Sequence, residues 1–107
     1  MIDKILTAAG IPERGGRMIK AQDGTFAVWF DDITTDGPDG MPPVIFTHDV
    51  SLELYEPKKD PAAVRALEAQ LTAHNLHWTK TDSVWIQSEQ FYETVYSFNY
   101  IEKRRTI

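Results

Sequence analysis

Phe91 to Ile101 reads FYETVYSFNYI, with Tyr92, Thr94, Tyr96, Phe98 and Tyr100 on alternate positions. Successive side chains of a strand point to opposite faces, so four aromatics and a threonine share one face while Glu93, Val95, Ser97 and Asn99 share the other. This predicts a half-buried strand. Just upstream, Asp60 to Asn75 carries Val64, Leu67 and Leu71 at helical spacing, which gives a helix an apolar stripe to lay on that aromatic face. A sheet with helices on one side follows, and nothing in that arrangement brings reactive groups together.

Working outward, Pro57 stops the preceding strand, Asp60 suits an N-cap and Pro61 sits where its missing N–H costs nothing, so the helix starts there and runs to about Asn75. Val44 to Tyr55 alternates, with Phe46, His48, Val50, Leu52 and Leu54 on the inner face. Asp31 to Pro43 reads DDITTDGPDGMPP, whose aspartates, glycines and prolines predict a mobile loop. Before it, Arg17 to Gln22, Asp23-Gly24 and Thr25 to Phe30 predict a two-residue hairpin. In its second arm Phe26, Val28 and Phe30 oppose Ala27 and Trp29, so both faces gain some cover. Near the start, Ile2, Ile5, Leu6 and Ala9 form a stripe, Asp3 suits a cap and Gly10 a left-handed stop, which predicts a short helix over residues 3–9. His77 to Lys80 and Val84 to Ser88 read as two short arms around Thr81-Asp82-Ser83, or as one arm entering Ser83 as a turn. The class is α+β: one domain over residues 1–107, with a short N-terminal helix, a mainly antiparallel sheet of four to five strands and a second helix on one face.

The chain has 107 residues, enough for a single domain to bury roughly two-thirds of its unfolded surface. Sixteen acidic against eleven basic residues leave a formal charge of -5, which disfavours free nucleic-acid binding. The basic cluster Lys103, Arg104 and Arg105 reads as a solvated end. There is no cysteine, which removes disulfides and thiolate chemistry and fits synthesis in the cytoplasm. No stretch approaches the ~20 apolar residues that span a bilayer, and the start lacks the apolar core of a secretory signal, so no membrane role is expected.

Candidate chemistry is sparse. His74 and His77 are spaced to share a ligand, with Glu68 or Asp82 in support, but the pair straddles a helix end, where a histidine complements terminal carbonyls. His48 sits on the core side of its strand, and no serine or cysteine nucleophile stands in a recognisable setting, so a hydrogen-bonded interior or interface role is favoured over a general base. The aspartates of the 31–43 segment lack the calcium-loop spacing, and Arg14-Gly15-Gly16-Arg17 lacks a phosphate-cradle pattern. Glu53 with Glu56, or Glu89 with Glu93, read as solubilising carboxylates rather than an acid–base pair. No catalytic residue, metal ligand or cofactor is expected. What the aromatic density supports is an interface, for which Trp29, Trp85, Tyr92 and Tyr96 are the candidates.

Leu52, Tyr55, Lys59-Asp60, Leu67-Glu68, Leu71, Trp78, Lys80, Ile86, Glu89, Tyr92, Tyr96 and Phe98 form a pattern that resembles the small tail-completion, tail-terminator-like proteins of long-tailed phages and prophages. The hairpin over residues 18–32, with its VWF end, and the helix-first order are similar as well. The resemblance implies a virion structural protein that assembles as a ring, possibly a hexamer, at the end of the tail tube. It would terminate tail growth and contribute to head–tail joining, with itself, the tube protein and a head-connector protein as partners. Synthesis would be in the host cytoplasm. If the segment carrying Asp31, Asp32, Asp36 and Asp39 faced the bore of the ring, like charge would keep passing DNA from sticking. The competing expectation is a small non-virion adaptor that binds a protein partner by strand-edge pairing.

Overall fold

Three long strands set the frame. The computed structural model describes residues 1–13, 24–40 and 44–104. In chain order the elements are α1 (Ile2–Ala9), β1 (Phe26–Asp36), β2 (Ile45–Glu56), α2 (Pro61–Ala73), β3 (Thr79–Lys80), β4 (Val84–Ile86) and β5 (Phe91–Lys103). Among the described residues they build a five-stranded antiparallel sheet in the order β1-β2-β5-β3, with β4 also paired to β5. The fold is α+β.

Both helices lie on one face. Ile2, Ile5 and Leu6 of α1 and Leu67 and Leu71 of α2 join Ala27, Val50, Leu52, Leu54, Tyr96 and Phe98 of the sheet in one buried cluster. The aromatic strand thus delivers its even positions to the core: Thr94, Tyr96 and Phe98 are buried, and Tyr100 is half-buried. The opposite face has a smaller cluster, Phe26, Val28, Tyr55 and Phe91 with Ile86 against it. Strand β1 therefore buries residues on both faces at its start, as its alternation suggests.

The helix ends follow local chemistry. Asp60 caps α2, its Oδ1 accepting from the Ala63 N–H at 3.2 Å, and its Oδ2 accepts from the Thr25 hydroxyl at 2.8 Å. Helix α2 stops at Ala73, with His74 as its C-cap and Asn75 at φ 58. Gly10 terminates α1 at φ 74, a conformation that glycine adopts without steric cost. Asp3 is not the N-cap of α1. The helix begins one residue earlier, behind Met1, and Asp3 sits in the first turn, where its carboxylate meets the terminal ammonium at 3.4 Å.

Two sequence expectations change. The segment 31–43 is not an irregular loop from its start: β1 continues through Asp36, paired residue for residue with β2 down to Asp36 opposite Ile45. Ile33, Thr34 and Thr35 are β-branched, and the ladder to β2 outweighs the aspartates between them. Irregular backbone begins only at Gly37. Thr79–Lys80 and Val84–Ile86 do not pair with each other; each pairs with β5. The expected hairpin arm over Arg17–Gln22 lies outside the described residues.

Candidate assembly surface

The register places every side chain of β1, β2 and β5 in rows. On the helix-bearing face these run Ala27–Leu54–Thr94, Trp29–Leu52–Tyr96, Asp31–Val50–Phe98, Ile33–His48–Tyr100 and Thr35–Phe46–Glu102. At about 3.3 Å per residue the 11 to 13 residues of these strands reach about 36–43 Å, whereas α2 with 13 residues reaches about 20 Å. The helices cover the first three rows. The last two project beyond them as a three-stranded arm, and the molecule is 50 Å long.

The arm has a polar centre of its own. His48 is buried, with Nδ1 at 2.7 Å from Asp31 Oδ2 and Nε2 at 2.9 Å from Glu102 Oε1. Its ring stacks on Tyr100, centroids 4.3 Å apart and planes within 5°. Glu102 in turn accepts from Arg104 Nε and from its terminal guanidinium nitrogen, each at 3.1 Å, and that guanidinium lies 4.0 Å from the centre of the Phe46 ring. Carboxylates only accept hydrogen bonds, so a ring bonded at both nitrogens to carboxylates is an imidazolium. Burial pulls the His48 pKa down, but the bonds and charges of Asp31 and Glu102 outweigh it and hold the pKa above the ordinary histidine value. Glu102 is lowered, first by Arg104 and then by His48. Asp31 Oδ1 is buried with no hydrogen-bond partner among the described residues.

This cluster pins β1, β2 and β5 together where no helix covers them. Chemically it is an ion network without a nucleophile. Several other ionisable groups are similarly engaged. Glu68 accepts from Lys80 Nζ at 2.6 Å and from the Tyr96 hydroxyl at 2.8 Å, and burial followed by that Glu68 bond raises the tyrosine pKa well above its usual value. Glu56 accepts the Asp60 N–H, and Lys59 donates to the Ser83 hydroxyl. The groove between the start of α2 and the β3–β4 connection is lined by Glu56, Lys59, Asp60, Arg65, Lys80 and Tyr96, several of which already hold one another. His74 Nδ1 lies 2.9 Å from the Gln70 carbonyl at the end of α2. Among the described residues no three His, Cys, Asp or Glu side chains are placed to hold a metal ion.

The candidate interface aromatics separate. Tyr96 is fully buried in the protomer's own core, which removes it from any contact surface. Trp29 is half-buried over the core and donates to Glu13 at 2.6 Å. Trp85 packs on Tyr92, which also carries Lys59 Nζ 4.4 Å from its ring centre. Of the acidic set, Asp31, Asp32 and Asp36 are on β1 and only Asp39 is in the turn beyond it. Asp31 faces His48 on the helix side, while Asp32 and Asp36 project from the helix-free face.

Exposed apolar groups mark the arm and its base: Phe30 is 54% exposed, Ile33 47% and Ile101 64%. The arm also has two open margins. Among the described residues no strand pairs with the outer edge of β1 beyond the Glu13–Ala27 bridge, or with the outer edge of β5 beyond Ser97. No family model matches the chain. No curated protein is similar enough in sequence to serve as a relative. Among the described residues no helix is long and apolar enough to cross a membrane.

Proposed function

We propose that the chain is a virion assembly protein that closes the end of a phage tail tube as a ring, ends tail growth and contributes to joining the tail to the head. The observation that carries this reading is the arm: a three-stranded extension beyond the helices, with two edges that no strand among the described residues pairs with, and an exposed isoleucine on each of its faces. Unpaired edges invite further strands, and closure of a ring is a direct way to satisfy them. The residues of the tail-terminator pattern also fall on the framework of this fold. Leu52, Tyr55, Leu67, Leu71, Tyr96 and Phe98 are core, Asp60 caps α2, and Glu68, Lys80 and Tyr96 form one hydrogen-bonded set. The protein then works by packing and shape, in the host cytoplasm during assembly and afterwards in the particle.

The test is to mix the purified chain with tail tubes and image it by electron microscopy, alongside light scattering over a concentration series. Rings alone or at tube ends are expected. A monomer at every concentration that ignores tube ends, but binds an extended peptide, would replace this reading with the strand-edge adaptor.

A further inference from the structure

The two edges of the arm that stand unpaired among the described residues are complementary. We infer that the outer edge of β5, residues 99–103, takes the outer edge of β1, residues 31–36, from a second copy of this chain. This rests on the ring reading and specifies its interface.

Strands β1 and β5 are each antiparallel to β2, so they run in the same direction. A second copy that continues the sheet in the same orientation therefore lays its β1 parallel to β5. The rows of the protomer fix the simplest register. Asp36, Ile45 and Lys103 share one row, Thr35, Phe46 and Glu102 the next, then Thr34, Thr47 and Ile101, then Ile33, His48 and Tyr100, and then Asp32, Asp49 and Asn99. Carried across the junction, Asp36 of one copy meets Lys103 of its neighbour, Thr34 meets Ile101, Ile33 meets Tyr100 and Asp32 meets Asn99.

Each of these pairs answers something left open in the single chain. Asp36 and Lys103 are exposed and make no side-chain ion pair among the described residues, whereas Arg104 is already engaged by Glu102. Ile33 and Ile101 are the two most exposed large apolar side chains of the arm, and each gains cover. The charges segregate by edge: Asp31, Asp32 and Asp36 on β1 against Lys103 and Arg104 at the end of β5. A second copy placed edge to like edge, β1 on β1, would oppose aspartates, so the charges select a head-to-tail contact, the heterologous kind that closes into rings.

The chain has no cysteine, which gives a clean test. Within one protomer Asp36 and Lys103 are separated by β2, about 10 Å at ~4.8 Å per strand, which is beyond disulfide reach, whereas direct neighbours across a junction fall within it. The double variant Asp36→Cys with Lys103→Cys, oxidised under conditions where rings form, is expected to give a ladder of covalent multimers on a non-reducing denaturing gel. Either single variant should give none. Charge reversal gives a second readout: Asp36→Lys and Lys103→Asp should each reduce ring formation, and their combination should restore it. Rings by microscopy with neither ladder nor restoration would overturn this interface and leave the ring reading standing. Absence of rings in the unmodified protein, with and without tube ends, would overturn both.

Discussion

His48 carries a charge in a place where burial disfavours one, and its two carboxylate partners explain why. Asp31 and Glu102 accept hydrogen bonds from both ring N–H groups, so loss of either proton turns a lone pair toward a carboxylate. The groups facing the ring are Asp31 from β1 and Tyr100 and Glu102 from β5, with Arg104, just past the end of β5, behind Glu102, and the aspartate and glutamate outweigh desolvation. The folded-state pKa is raised, so the stabilisation is fully present below the unfolded value of about 6.5 and is lost as pH rises through the folded-state pKa. Urea melts of the unmodified chain between pH 5 and 9 should show stability falling across that window. His48→Ala should cost about 1–3 kcal/mol at pH 6, because the Asp31 carboxylate, only 16% exposed, then loses the cation it is paired with, and should flatten the pH dependence. An equal slope in the variant would rule out this residue as its origin. The sequence places His48 on the core side of a strand and stops there. Its partners are 17 and 54 residues away, and only continuing the alternation from Tyr100 to Glu102 would have put a carboxylate on the aromatic face.

Elements differ in how openly their residues announce them. Strand β5 and helix α2 are plain in the sequence because periodicity and end signals agree: alternating aromatics in the one, Asp60-Pro61 and a leucine stripe in the other. The outer half of β1 was hidden because aspartate is a poor strand former by itself. Its order comes from pairing with β2 and, at Asp31, from the histidine opposite. Local composition registers neither. Asp60 shows the converse, a residue whose capping role is local and therefore legible. Asp60→Ala removes both the cap to Ala63 and the acceptor for Thr25, and should cost about 1–2 kcal/mol by urea denaturation. Asp60→Asn, which keeps a capping oxygen, should retain most of that. Equal losses for the two substitutions would mean that the cap is not what Asp60 contributes.

At the scale of the whole molecule, the sheet has one face under two helices and one face without them. In a ring built by continuing the sheet, the bulkier helix side belongs on the outside, where circumference is greater, and the helix-free face turns inward. That face carries Asp32, Asp36 and Asp49, whereas Asp31 lies on the other side, bound to His48. The four aspartates that the sequence groups together therefore divide into one that holds the arm and others that can repel a passing polyanion. Replacing Asp39 and Asp49 with asparagine should leave ring formation unchanged while reducing the yield of particles that transfer their genome. Asp32 and Asp36 are kept in this variant because they face Asn99 and Lys103 across the junction. Asp31→Asn should do the reverse, lowering stability and removing part of the pH dependence set by His48 with no direct effect on the bore. Particle titre and melting point measured on both variants separate the two roles. If the double variant transfers DNA as well as the unmodified protein, the acidic face does not line the channel.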